Sequence, residues 1–410
     1  MKLRDYQQQI VNKGLPILKE HKFLYLAMEV RTGKTATSLS MVSLLPVTNC
    51  LFVTKKKAIS SIESDYQKLN HTYNLLVINY ESLHKVPGDV SWDVLICDEA
   101  HTLGAFPKKS KRARQIMDIL LSHEAYTILL SGTPTPESYS QMYHQVCGIP
   151  TNPFRKFKNF YAFAKTYVDV RQRKINGNYI NDYSKGLQSI IDMMKPYTIS
   201  YTQKEAGFKV QTNEEILYVD VPSGLRKIIK RLSTDRVIEG KDQVVLADTA
   251  VKLMSKTHQL YSGTVKFESG KSMVLDSTKA KFIQSVFKNK KIAIFYKFTA
   301  EYEAIKEVFG DSICNTLDEF CNTDKSIALQ IVSGREGISL KQAVALVYYN
   351  IDFSATSYWQ SRDRMTTKDR LYNKVYWIFS KGGIEDQIYK AVVKKKDYTL
   401  THFKKDLLTL

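Results

Sequence analysis

The feature that most constrains this chain is a series of short apolar runs set among helical patterns. Up to residue 150 the runs are "FLYLAM", "NCLFVT", "NLLVINY", "DVLICDEA" and "YTILLSG", each bounded by polar turns. Runs of this length without polar alternation have no solvent face, so they read as parallel strands covered by helices on both sides. The same pattern resumes after about residue 275 with "KIAIFYKF", "SIALQIVSG", "ALVYYNID" and "KVYWIFS". Between them, "FRKFKNFYAFAKTYVDV" and "LQSIIDMMKPY" read as helices, separated by the polar, turn-rich "RQRKINGNYINDYSKG". "EEILYVDVP" alternates as a strand, and "LRKIIKRLSTDRVI" and "VVLADTAVKLMSKTHQLYSG" have helical spacing. A chain of 410 residues is too long for one ordinary core. The expected fold is α/β: a parallel-sheet lobe over 1–150, a helical insertion over 151–212, and a second parallel-sheet lobe over 213–410 that includes a helical segment at 223–262.

Composition narrows the function classes. No stretch approaches the roughly 20 apolar residues of a membrane span, and the start, "MKLRDYQQQIVNKG", lacks a signal peptide's apolar core. No membrane partner and a cytoplasmic location (the host's, for a viral protein) are therefore expected. The five cysteines form no CxxC pair and read as reduced thiols rather than metal ligands. The net charge of +19 is spread along the chain. That suits a folded surface facing a polyanion, most often nucleic acid; the plainer reading is a basic protein with no such partner.

Three segments carry chemistry. "GKT" at 33–35 falls between a strand and a helix with small residues in its first turn, where backbone N–H groups face phosphate oxygens. Lys34 would reach the β- and γ-phosphates of a nucleotide and Thr35 would place its hydroxyl on Mg²⁺. The full phosphate-loop pattern wants glycine at position 28, and Met28 stands there. In "DVLICDEAH" an apolar strand runs into Asp98 and Glu99. Asp98 would hold the metal, and Glu99 would orient and deprotonate an attacking water. The alternatives are a chance Gly-Lys-Thr and a solvated acidic turn, and the occurrence of both motifs at strand ends argues against them. "LLSGTPTPES" supplies Ser131 and Thr133, small hydroxylated residues suited to relaying hydrogen bonds; alone it would be an ordinary proline turn.

"LRDYQQQIV", "MEVRTGKT", "LFVTKKK", "VINYESL", "DEAH", "SGTPTPES", "VSGREGISL" and "YWQSRDRM" stand in the order of the superfamily 2 helicase motifs. In detail they resemble the Swi/Snf-type branch and its compact phage relatives. The segments "FRKFKNFYAFAKTY", "HQLYSG", "DSTKAKFI" and "GGIEDQIYKAVVKKK" resemble further landmarks of that branch. "MEVRTGKT" is similar to the branch's "DEMGLGKT", which also lacks the first glycine. The resemblance implies two RecA-like lobes and a monomeric ATP-dependent motor acting on duplex or branched DNA, in branch migration or fork remodelling. An RNA helicase and a regulatory nucleic-acid clamp with weak ATPase are the alternative functions.

The resemblance also implies residue roles. Gln7 would read adenine, with Arg4 and Tyr6 shaping its pocket. Thr32, Gly33, Lys34, Thr35 and Ala36 would bind phosphate, with Gly337 contributing from the second lobe. Thr35 and Asp98 would hold Mg²⁺. His101 would couple hydrolysis, through Ser131 and Thr133, to the other lobe. Thr54, Lys55, Tyr80, Ser82, Lys297 and Ser333 would lie in or beside segments tracking the nucleic-acid backbone, and Gly334 and Ser339 in the linking loop of the second lobe. Gln360, Arg362 and Arg364 would face the γ-phosphate. The family places another arginine three residues after Arg364, where this chain has Thr367. The transition-state arginine is then expected to be Arg364, with Arg362 and Arg370 as the other candidates. Two basic stretches, "PKKSKRAR" and "VVKKKDYTLTHFKKDL", read as a helix start that touches either solvent or phosphate and as an amphipathic C-terminal helix packed on the second lobe.

Overall fold

The computed structural model describes residues 2–175, 178–209, 211–240, 243–334, 338–367 and 370–396. Two compact units divide the chain, Met1–Gly207 and Phe208–Lys395.

The first unit is built on strands β1 (Phe23–Met28), β2 (Asn49–Thr54), β3 (Asn74–Asn79), β4 (Val94–Asp98), β5 (Tyr126–Leu130), the pair β6 (Arg171–Ile175) and β7 (Asn178–Asp182), and β8 (Thr198–Tyr201). Six of them form one sheet in the order β3-β2-β4-β5-β1-β8, every pair parallel. Side chains alternate across it. Phe23, Tyr25, Leu51, Val53, Leu95 and Cys97 enter one core, whereas Leu24, Leu26, Cys50, Phe52, Val94 and Ile96 enter the other. Both faces are buried, which is why these strands read as continuous apolar runs. Each fully buried Leu or Phe contributes roughly 1.5–3 kcal/mol. Helix α1 (Asp5–His21) packs on β1 and on α2 (Lys34–Val42), and α3 (Ile59–Leu69) and α4 (Lys111–Ser122) follow β2 and β4.

Residues 151–207 belong to this first unit. They hold the helices Phe160–Tyr167 and Ser189–Met194, but also β8, which extends the sheet beside β1, and the antiparallel hairpin β6–β7. The hairpin occupies the stretch read as turn-rich and polar.

The second unit repeats the architecture with β9 (Gln211–Val219), the ribbons β10 (Val237–Glu239) with β11 (Val244–Leu246) and β12 (Thr264–Lys266) with β13 (Ser272–Val274), then β14 (Ile292–Tyr296), β15 (Ile313–Cys314), β16 (Ser326–Gln330), β17 (Ala345–Tyr348) and β18 (Tyr372–Ser380). The sheet order is β15-β16-β14-β17-β18-β9, again all parallel. Phe295 and Leu346 face one core, Ile294 and Val347 the other. The helix Ser223–Asp235 buries Leu225, Ile229 and Leu232, at helical spacing, in a smaller third core. The segment read as helical from Val244 begins as strand β11 before its helix, Ala250–Tyr261, starts. The last helix, Glu385–Lys396, buries Ile388 and Val392 in the second unit, and the rest of the basic C-terminal stretch lies outside the described residues. Among the described residues no helix is long and apolar enough to cross a membrane.

Candidate nucleotide site

β4, β5 and β1 lie side by side in the first sheet, so the three loops that leave their carboxyl ends are neighbours. Ligands of open parallel sheets bind at such an edge. These loops carry Gly33-Lys34-Thr35, Asp98-Glu99 and Ser131-Thr133.

Met28 ends β1 and is wholly buried in the sheet core. Position 28 is therefore a strand residue, and a glycine there would leave a hole. The loop needs its conformational freedom further on: Arg31 and Gly33 have φ of +65° and +82°. A Cβ on Gly33 would fall 1.9 Å from Gln7 Nε2. Lys34 and Thr35 are half-buried at the start of α2, while Thr32 and Ala36 are buried beside them. The Thr32 hydroxyl donates to Glu29 O at 2.7 Å, so it shapes the loop instead of facing a ligand.

The start of α1 is fastened to this loop. Tyr6 donates to Thr32 O at 3.0 Å and Gln7 Nε2 to Gly33 O at 3.4 Å, while Gln7 Oε1 accepts from the Arg4 N–H at 2.9 Å. Arg4 donates to the Tyr6 hydroxyl at 3.2 Å, and the Tyr6 ring stacks on Tyr201 with centroids 5.1 Å apart. Glu29, next in the loop, accepts from the Gln203 N–H at 2.8 Å, and Gln203 Nε2 donates to Val30 O at 2.9 Å. Nothing in the sequence marks these last partners, because β8 brings Tyr201 and Gln203 in from far along the chain.

Asp98 is held from two sides. Thr54, at the end of the adjacent β2, donates to Asp98 Oδ2 at 2.9 Å, and the Tyr80 hydroxyl donates to Asp98 O at 2.6 Å. Thr54 and Tyr80 are both buried. Thr54 thus positions the carboxylate and Tyr80 the backbone of Asp98, while the neighbouring Lys55 and Ser82 are half-buried. Burial and then the charge of Glu99 push the Asp98 carboxyl up to about 6, while Lys34 and the Thr54 hydrogen bond pull it the other way. Glu99 has a left-handed backbone, φ 50°, and its Oε2 lies 3.3 Å from His101 Nδ1. The same nitrogen is 3.1 Å from Ser131 Oγ, which accepts from the Thr133 N–H at 3.1 Å. A hydrogen-bonded chain thus joins the acidic loop to the loop after β5. Downstream, Ser110 caps α4 and Arg112 pairs with Glu81 at 2.5 Å, so part of "PKKSKRAR" is a solvated helix start.

The residues fit a magnesium nucleotide. Two adjacent carboxylates and a threonine hydroxyl are hard oxygen donors, and the burial and neighbouring Glu99 charge that raise Asp98 are a cost that a divalent cation relieves. Among the described residues no cluster of three or more His, Cys, Asp or Glu forms a self-sufficient metal cage. Mg²⁺ held by one or two protein oxygens and by phosphate does not require one.

In the second unit, Lys297 Nζ lies 3.0 Å from Asp352 Oδ1 and 3.9 Å above the Phe353 ring. It borders a cavity of about 290 Å³ together with Gln259, Lys266, Thr299 and Gln330. Gly334 ends the short helix Ile331–Gly334, where a Cβ would meet Phe295 at 2.7 Å, and Ser333 lies in that helix. Ser339 is exposed just beyond, and Gly337 lies outside the described residues. Gln360 lies on the helix Ala355–Arg362. The three arginines separate clearly. Arg362 Nη1 is 2.6 Å from Glu214 Oε1, and Tyr358 and Trp377 donate to the other Glu214 oxygen. The Arg362 guanidinium sits in this partly buried cluster. Arg370 donates to the carbonyls of Ala343, Lys341 and Tyr372 at 2.8 to 3.2 Å, clamping the backbone. Arg364 is buried, with Nη1 3.5 Å from Ile338 O.

The family model of the SNF2-related domain matches residues 46–269, more than half of the 410 residues. The chain belongs to the SNF2-related family. The match to this SNF2-related chain begins beyond residues 29–35. "Putative helicase 109L" of Invertebrate iridescent virus 3 is 24% identical over 153 residues, 37% of the SNF2-related chain and 46% of that protein. The chain thus spans under half the length of this relative. Two solved structures are also similar. The Sulfolobus solfataricus SWI2/SNF2 ATPase core in complex with dsDNA is 14% identical with a TM-score of 0.42, over 99% of this chain and 94% of that one. The ATPase core domain alone is 15% identical with a TM-score of 0.43, over 98% and 90%.

Proposed function

We propose that this SNF2-related protein is a nucleic-acid-stimulated ATPase, a helicase or translocase that works as a monomer on duplex or branched DNA, in branch migration or fork remodelling. The observation that carries this reading is the meeting of Lys34-Thr35, Asp98-Glu99 and the His101–Ser131 hydrogen bond on the loops of three neighbouring strands. Lys34 would offset phosphate charge, and Thr35 and Asp98 would hold Mg²⁺, which would supply charge neutralisation to the phosphates. Glu99 orients a water and accepts its proton. His101 and Ser131 report the state of Glu99 to the loop after β5. Gln7, Arg4 and Tyr6 set the adenine end of the site. Arg364, the arginine that the family resemblance implies, is proposed to stabilise phosphoryl charge.

The net charge of +19 and the lysines at 55 and 297 support a polyanionic partner read through its backbone, with Ser82 and Ser333 in the same role. The test is phosphate release from ATP with single-stranded, duplex, forked and four-way DNA and with RNA. Stimulation by duplex or branched DNA is expected. Stimulation by RNA alone would transfer the reading to an RNA helicase, and no hydrolysis with any nucleic acid would leave a binding clamp.

A further inference from the structure

We infer that Gln203 is a positioning residue of the phosphate loop, holding Arg31 in the left-handed conformation that turns the loop's N–H groups to the nucleotide; this rests on the ATPase reading above. Arg31 has φ +65°, a region where residues with a side chain are uncommon. Such a conformation persists only where the surroundings impose it. Two side chains fasten the carbonyls of its neighbours. Gln203 Nε2 donates to Val30 O at 2.9 Å, and the Tyr6 hydroxyl donates to Thr32 O at 3.0 Å. A peptide group is a plane whose C=O and N–H point in opposite directions. Fixing Val30 O therefore fixes the Arg31 N–H, and fixing Thr32 O fixes the Gly33 N–H, each turned away from its donor. N–H groups ordered around left-handed residues form a concavity for anions, and Arg31 and Gly33 are both left-handed. Gly33 O needs less help, since the Thr37 N–H already holds it at 3.0 Å, and Gln7 stands off at 3.4 Å.

The turn that presents Gln203 is built locally. In "TQKE" the Thr202 hydroxyl accepts from the Glu205 N–H at 3.2 Å, and the Glu205 carboxylate accepts from the Thr202 N–H at 2.6 Å. That reciprocal pair is a capping box, and it shapes a tight turn directly after β8. The Gln203 N–H leaves the turn and donates to Glu29 Oε2 at 2.8 Å, while the Glu29 N–H donates to Tyr201 O at 2.9 Å. Tyr201 stacks on Tyr6, so the two donors stand on one wall. These backbone anchors keep the turn on Glu29 whatever side chain stands at position 203. The Gln203 amide adds a bond to the peptide next to Arg31, which the anchoring of the turn does not require.

The experiment uses the full chain and measures affinity for a fluorescent ATP analogue, kcat and KM for hydrolysis with duplex DNA present, and Tm. Gln203→Ala should weaken ATP binding and raise KM about tenfold, with kcat within about threefold and little change in Tm. Gln203→Lys, which keeps a donor of similar reach, should restore most of the affinity. Gln203→Glu, which keeps the size and loses the donor, should not. Arg31→Gly supplies the deciding comparison, because glycine enters the left-handed region freely. In that background Gln203→Ala should cost about threefold or less. An equal loss there overturns the inference, since Gln203 would then not act through Arg31. A loss that follows a fallen Tm and that Gln203→Lys does not restore makes the residue structural and overturns it too. ATP binding untouched by Gln203→Ala sinks this inference alone, whereas no ATP binding by the unaltered protein sinks the ATPase reading and this inference with it.

Discussion

Arg362, the last residue of the helix Ala355–Arg362, closes a 2.6 Å ion pair onto Glu214 of β9. The pair is mostly shielded, and Tyr358 and Trp377 also donate to Glu214, so removing the guanidinium strands a carboxylate. Arg362→Ala should therefore destabilise the second unit by about 2–4 kcal/mol, seen as a lower Tm. Arg364→Ala should keep the Tm within a few degrees of the unaltered protein and lower kcat by about a hundredfold or more, with little change in the ATP KM. A kcat effect confined to Arg362→Ala at temperatures where it is folded would reverse the assignment.

Lys34→Ala should abolish hydrolysis without unfolding the protein, because it removes a half-buried charge and no core packing. Glu99→Gln should bind ATP and turn it over at least about a hundredfold more slowly, since the amide keeps the shape but cannot take the proton. Nucleotide binding by fluorescence, beside phosphate release, separates the two. Normal turnover in Glu99→Gln would remove it from the role of base.

Asp98 supplies the pH prediction. Its folded pKa, about 6, lies above its ordinary value of 3.8 because burial and Glu99 oppose its charge. Between these values the folded protein binds the proton more tightly, so in the absence of nucleotide and metal, stability falls as pH rises toward 6 and the full cost persists above it. Asp98→Asn should accordingly raise the Tm at pH 7 to 8 and lose that advantage below pH 4. ATPase should fall as pH drops through 6, since the protonated carboxyl no longer serves the metal. Thr54→Val, which removes a hydrogen bond favouring the charged form, should move that limb to higher pH. A limb at the same pH in Thr54→Val would show that another group sets it.

DNA binding should be largely independent of sequence and weaken steeply with salt, because a chain of net charge +19 would contact phosphates and release counterions. Titrations of one duplex at several salt concentrations give the slope, and Lys55→Ala should reduce it by about one unit. An affinity that ignores salt, or depends on one base sequence, would argue against backbone tracking.

The sequence by itself determined the two parallel sheets, since a strand buried on both faces must be apolar throughout, as Phe23–Met28 and Ile292–Tyr296 are. It also placed Lys34 and Thr35 at a helix start and Asp98 and Glu99 at a strand end, because local patterning fixes where an element stops and a loop begins. Only the tertiary structure decided what the side chains meet. Thr54 and Tyr80 sit in segments expected beside nucleic acid, yet strand order turns both onto Asp98. Gln203 and Glu29, 174 positions apart, are joined because β8 pairs with β1. Arg362 and Arg370 stood beside the expected Arg364 as candidates, and parallel pairing of β18 with β9 delivered Glu214 to Arg362. Periodicity reports which face of an element is buried, whereas the partner across a contact depends on sheet order and long-range pairing, and local pattern carries no record of either.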